Sequence, residues 1–229
     1  VSRDQIVRSS RNPSSTGSIS ETISTNKVIR QTYMLLSLTL AFSAITAFIA
    51  MAVNAPPVHW IIMLGVLIGG PFAIHAARNS ALGIVLTFAF TGVLGFFLGP
   101  ILSMYLGLPN GPQIVGNAFA ATAVAFVTLS GYALATKKDF SFLGGFLVVG
   151  LIVALLAIVA NLFLAIPALS LAISAAVVLL LSAAILFDTS RMIHDPEANY
   201  IVMTVSLYAN LYVMFLHLLN LFHAFMGDN

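Results

Sequence analysis

From Lys27 onward the chain is a succession of apolar runs broken by short polar or proline-bearing interruptions. The first run, Tyr33 to Val53, has about 20 residues, the length a helix needs to cross the hydrocarbon core of a bilayer. Placing helix ends at the interruptions predicts seven helices. They cover roughly 28–53, 58–77, 81–106, 113–136, 140–165, 167–194 and 199–226. The breaks that separate them include Asn54-Ala55-Pro56-Pro57, Leu108-Pro109-Asn110-Gly111-Pro112 and Lys137-Lys138-Asp139, and Pro167 opens the sixth helix. The fold class expected is all-α, a multi-pass transmembrane bundle of seven helices occupying 27–227 as one domain.

Residues 1–26 read differently. They are rich in Ser and Thr, contain Pro13 and Gly17, and carry Arg3, Arg8 and Arg11. So polar a segment buries too little surface to offset its ordering entropy, so a flexible tail is expected there. The apolar run behind it ends near the small-x-small sequence Ala50-Met51-Ala52, but exceeds the 7–15 residues of a signal h-region. It reads as a retained membrane helix.

Composition supports the same picture. The chain is 60% hydrophobic and 7% charged, against about 25% charged in a soluble domain. Nine basic residues among 229 do not make a nucleic-acid-binding surface. The absence of cysteine excludes disulfides, thiolate metal sites and a Cys nucleophile.

Charge also orients the bundle. With seven crossings, the tail and the 2–3, 4–5 and 6–7 turns share one side, and all nine Lys and Arg fall there. The positive-inside rule makes that side cytoplasmic, leaving the C-terminus outside. In a bacterium the chain is then an inner-membrane protein with a cytoplasmic N-terminus and a periplasmic C-terminus.

Few residues offer chemistry. Asp188 is the ionisable group that interrupts the apolar sixth helix, about six residues inside His194. Either it is wetted near the helix end and paired with Arg191 or His194, or it faces the interior as a proton or cation site. Residue spacing leaves both open. His217 and His223 are six apart and point to different helix faces, against a shared metal site. No HExxH, GxSxG or GxxxxGK[ST] pattern occurs. No catalytic residue, metal site or cofactor is expected, and the chain does not read as an enzyme. Asn161 is expected to bond a neighbouring helix. Gly65 and Gly69, and the ridge Gly92, Gly95 and Gly99, are spaced to let helix backbones approach closely. Pro71 and Pro100 should kink their helices.

Five stretches carry a family likeness: TYMLLSLTLAFSAIT (32–46), FAFTGVLGFFLGPIL (88–102), KKDFSFLGGFL (137–147), LFDTS (186–190) and NYIVMTVSLY (199–208). Through them the chain resembles the Bax inhibitor family of membrane proteins, and most closely its bacterial YccA branch. The resemblance implies six helices around a central C-terminal seventh. It also implies a modulator, whether inhibitor or poor substrate, of the FtsH-type ATP-dependent membrane protease and of any membrane complex around it. Such a protein would be engaged through its cytoplasmic tail, here the segment with Arg3, Arg8 and Arg11.

Other members of that family resemble pH-sensitive calcium leak channels gated by two aspartates on the last two helices. Asp188 matches the first, and the second position is Asn210. An Asp–Asn pair lacks the mutual repulsion of two acids and carries half their charge. Calcium prefers several oxygen ligands, usually more than one of them anionic. A calcium or cation leak with Asp188 as the gating residue is therefore the alternative reading. Asn210 also lies about four residues deeper than Asp188, so contact between them calls for tilt or a local break.

Overall fold

A computed structural model describes the backbone of residues 14–227 and the side chains of 27–227. Seven helices appear in order: α1 Ser14–Ala52, α2 Trp60–Ala76, α3 Ala81–Leu106, α4 Gly111–Thr136, α5 Leu143–Leu164, α6 Pro167–His194 and α7 Tyr200–Met226. No strand occurs among the described residues. Apart from the start of α1, every boundary lies within three residues of its expected place. α1 begins at Ser14, well before the apolar stretch Lys27–Ala52. Hydropathy marks only the part of a helix fitted to lipid, whereas extending an existing helix costs little. Six helices are long and apolar enough to cross a membrane, and α2 with 17 residues is shorter. That length is at the lower limit for a spanning helix.

Local chemistry accounts for the helix ends. The Asn199 side chain accepts from the amides of Ile201 (2.9 Å) and Val202 (3.4 Å), capping α7. Its amide nitrogen donates to the carbonyl of Arg78 at 3.1 Å, which ties the 2–3 turn to the start of α7. α4 and α5 end in left-handed residues, Lys137 and Ala165, each with φ 50. Pro71 and Pro100 lie inside continuous helices.

α7 is the centre. It packs on α1, α2, α3, α4 and α6, whereas α5 rests on α6 alone among the described residues. α1 and α3 form another extensive pair, and the glycine ridge explains it. A Cβ on Gly99 would stand 2.5 Å from Ala50 Cβ and 2.7 Å from the carbonyl oxygen of Ala47. One on Gly95 would meet the backbone and hydroxyl of Ser43. Gly65 and Gly69 do not serve as expected: both are exposed, and a Cβ on either meets nothing within 4 Å.

Candidate functional site

Asp188 lies on α6 and is 5% exposed, so it faces the bundle interior. Ser206 Oγ donates to its Oδ2 at 2.5 Å and Asn210 Nδ2 donates to the same oxygen at 2.8 Å. Ser206 and Asn210 are one turn apart on α7 and so share a face. The pairing of Asp188 with Arg191 or His194 does not form. Arg191 instead bridges Asp195 at 3.1 Å, and His194 lies 3.0 Å from the carbonyl of Ser190.

Contact between Asp188 and Asn210 needs no break, since α6 and α7 run unbroken through both residues. Side-chain direction supplies the reach. Every Cα–Cβ bond tilts toward its helix N-terminus. In antiparallel α6 and α7 this aims Asp188 deeper and Asn210 shallower, so the two converge across about four residues of depth, roughly 6 Å.

The two residues after Asp188 are buried as well, and each turns to a different neighbour. Thr189 Oγ1 lies 3.3 Å from Ser130 Oγ of α4. Ser190 Oγ accepts from the amide of Phe140 at 2.9 Å, clamping the 4–5 loop onto α6. At 100° per residue, three consecutive polar side chains can serve three partners. In that loop Asp139 accepts from the backbone amide of Ser141 at 2.8 Å, which holds its carboxyl below the usual range.

On α7, polar side chains serve alternate neighbours. Thr204 Oγ1 donates toward the carbonyls of Tyr200 (2.7 Å) and Thr32 (3.2 Å). Tyr208, 1% exposed, donates to the carbonyl of Thr91 on α3 at 3.1 Å and lies 2.7 Å from Ser43 Oγ on α1. Sequence reading missed Thr189, Ser190 and Tyr208 as individual residues, although all three lie in the stretches LFDTS and NYIVMTVSLY. Asn161 does not bond a neighbouring helix: its Oδ1 accepts from the amide of Ile166 at 3.2 Å, closing its own helix end. His217 and His223 diverge, the first toward Ser174 and the second against the Tyr105 ring. Arg3, Arg8 and Arg11 lie outside the described residues.

The Asp188 site is poor in oxygen ligands for a cation such as calcium. It offers one carboxylate whose Oδ2 is already taken by two hydrogens, and calcium takes six to eight oxygens. Among the described residues no group of three or more His, Cys, Asp or Glu is placed to hold a metal.

Comparison with known proteins decides the family. The sequence profile of the family described as "Inhibitor of apoptosis-promoting Bax1" matches residues 25–227. The chain belongs to the Bax inhibitor family. Within it, this member is 48% identical to a protein of Escherichia coli K12 named "Modulator of FtsH protease YccA", over 95% of this chain and 96% of the relative. A relative from Pseudomonas aeruginosa is 48% identical over 88% and 91% of the two chains. One from Vibrio cholerae, described as a membrane protein, is 42% identical over 90% and 93%. In this member Asp188 and Asn210 at the α6–α7 seam are a buried acid and an amide in direct contact.

Proposed function

We propose that this protein is a non-catalytic modulator of the FtsH-type protease in the bacterial inner membrane, engaged through its N-terminal tail. The observation that carries this reading is near full-length 48% identity to the E. coli protein bearing that name. The architecture suits the task. α7 is hydrogen-bonded to α1, α3 and α6, so pulling on one end strains several contacts at once. A polar leader in the cytoplasm can enter an ATP-driven translocating pore while the bundle resists extraction.

Two experiments test it. Deleting residues 1–26 should leave the bundle folded and lengthen its lifetime in cells containing the protease. A deletion with unchanged degradation and unchanged protease activity would remove the tail's role. Pull-down of the full chain from native membranes should recover the protease. Reach depends on orientation, for which all nine basic residues on one side argue a cytoplasmic N-terminus. Reporter fusions that put both chain ends on one face would contradict it.

A second reading, an ion leak at Asp188, is favoured by one feature: Asp188 and Asn210 touch, as a gating pair must. Liposome calcium flux discriminates. Equal flux through wild type and Asp188→Asn removes this reading.

A further inference from the structure

The α6–α7 seam holds a second polar cluster, nearer the end opposite the basic loops. His217 Nδ1 lies 3.0 Å from Ser174 Oγ, and Asn220 Nδ2 donates to Ser174 Oγ (2.9 Å) and Ser170 Oγ (3.3 Å). Ser174 therefore receives a hydrogen from Asn220, and its own proton has one acceptor among the described residues, the His217 ring. The tautomer that gives that proton its acceptor has Nδ1 accepting and Nε2 carrying the hydrogen. Nε2 bonds no other group among the described residues and is not sealed over.

These groups line a cavity of about 370 Å³ between α2, α5, α6 and α7, whose walls are otherwise mostly apolar, with Met63, Ile158 and Leu216 among them. α2 and α5 both contribute to it without packing on each other, which leaves a gap between the two helices. In a bundle that spans the bilayer, that gap faces the lipid. A cavity of this size with a few convergent polar groups is the ordinary form of a small-molecule site.

We propose that this cavity binds a neutral lipophilic carbonyl compound of the quinone class, drawn from the membrane, with its carbonyl oxygen on His217 Nε2. The chemistry selects the ligand by elimination. An N–H facing apolar surroundings needs an acceptor. No Lys, Arg, Asp or Glu lines the cavity, so a charged ligand would stay uncompensated. Depth separates a free lipophile from a phospholipid ester. α7 has 27 residues, about 40 Å, and so overhangs a 30 Å hydrocarbon core by about 5 Å at each end. His217 is nine residues from Met226, about 13 Å, which puts it roughly 8 Å beneath the boundary. Ester carbonyls sit at that boundary, whereas a quinone ring dissolves below it.

The molecule carries its own reporter. Trp60 is the sole tryptophan and forms part of the cavity wall, so a quinone bound there quenches its fluorescence at contact range. Decylubiquinone titrated into the full chain in phosphatidylcholine nanodiscs should give a saturable quench and raise the melting temperature by bridging α2 and α5. His217→Leu should weaken binding about tenfold, the loss expected for one buried hydrogen bond. Ser174→Ala keeps the ring but frees its tautomer, and should weaken binding by roughly threefold. A quench that grows without saturating, or one identical in wild type and both variants, overturns the proposal. So does a saturable quench that is seen in nanodiscs of ether-linked phosphatidylcholine but lost in the ester-linked lipid, which would assign the cavity to a lipid ester.

Discussion

The carboxylate of Asp188 takes both of its hydrogen bonds on Oδ2, from Ser206 and Asn210. Charge and shape can therefore be separated by substitution. Asp188→Asn keeps an acceptor oxygen at the same place, and is expected to change stability by less than about 1 kcal/mol. Asp188→Ala leaves two donors without a partner and should cost about 2–3 kcal/mol, read as a lowered melting temperature in detergent. Asn210→Asp brings two carboxyls into hydrogen-bond range, where they share one proton because they cannot both ionise. That variant should melt lower as pH rises from about 5 to 8, by more than wild type does. A parallel pH dependence in the two proteins would show that the pair is wetted. At this scale the sequence was informative wherever a polar side chain interrupted an apolar run. Asp188 stood out for that reason. Of its partners, Asn210 came from the family likeness and Ser206 was not seen, since both face it only because of side-chain tilt in two antiparallel helices.

Between helices, the information lies in small residues. The ridge Gly92, Gly95 and Gly99 was legible, and it is the surface on which α1 lies against α3. Gly65 and Gly69 are four apart, as Gly95 and Gly99 are, yet meet nothing within 4 Å. The spacing could not separate them because lipid and a neighbouring helix are equally apolar. In water, periodic polarity tells which face of a helix is buried; in a bilayer both faces are apolar and that signal fades. Helix number and ends could be read from Pro, Gly and charge at the breaks, while helix neighbours could not. Substitution distinguishes the two glycine sets. Gly99→Ala should destabilise by roughly 1–3 kcal/mol through overpacking on Ala47 and Ala50. Gly69→Ala meets open space and should be neutral, or stabilising by up to about 1 kcal/mol from helix propensity. Thermal melts of both variants in one detergent check the pair, and equal effects would refute the α1–α3 assignment.

Across the whole molecule, resistance to extraction follows from where the hydrogen bonds are anchored. α7 is central and α5 peripheral, so the bundle should open from α5 inward, with exchange of α5 amides ahead of those around Tyr208. Tyr208 links α7 to α1 and α3 through its hydroxyl, which makes it the place to weaken the centre without altering shape. Tyr208→Phe keeps the ring and removes both bonds, at a cost of about 1–2 kcal/mol. If the protease pulls on the leader and the bundle resists, a weaker centre should be extracted faster. The half-life of Tyr208→Phe in cells carrying the protease should then shorten, by up to about tenfold for 1.4 kcal/mol on the extraction barrier. Removing residues 1–26 from the same variant should restore the longer lifetime, because a weak bundle without a handle gives the protease nothing to pull. Pulse-chase measurement of the four proteins, wild type and Tyr208→Phe with and without the leader, separates the effects. Rapid loss of both Tyr208→Phe forms would point to degradation that starts from the membrane domain itself. Equal lifetimes for all four would mean that packing at the centre of the bundle does not limit extraction.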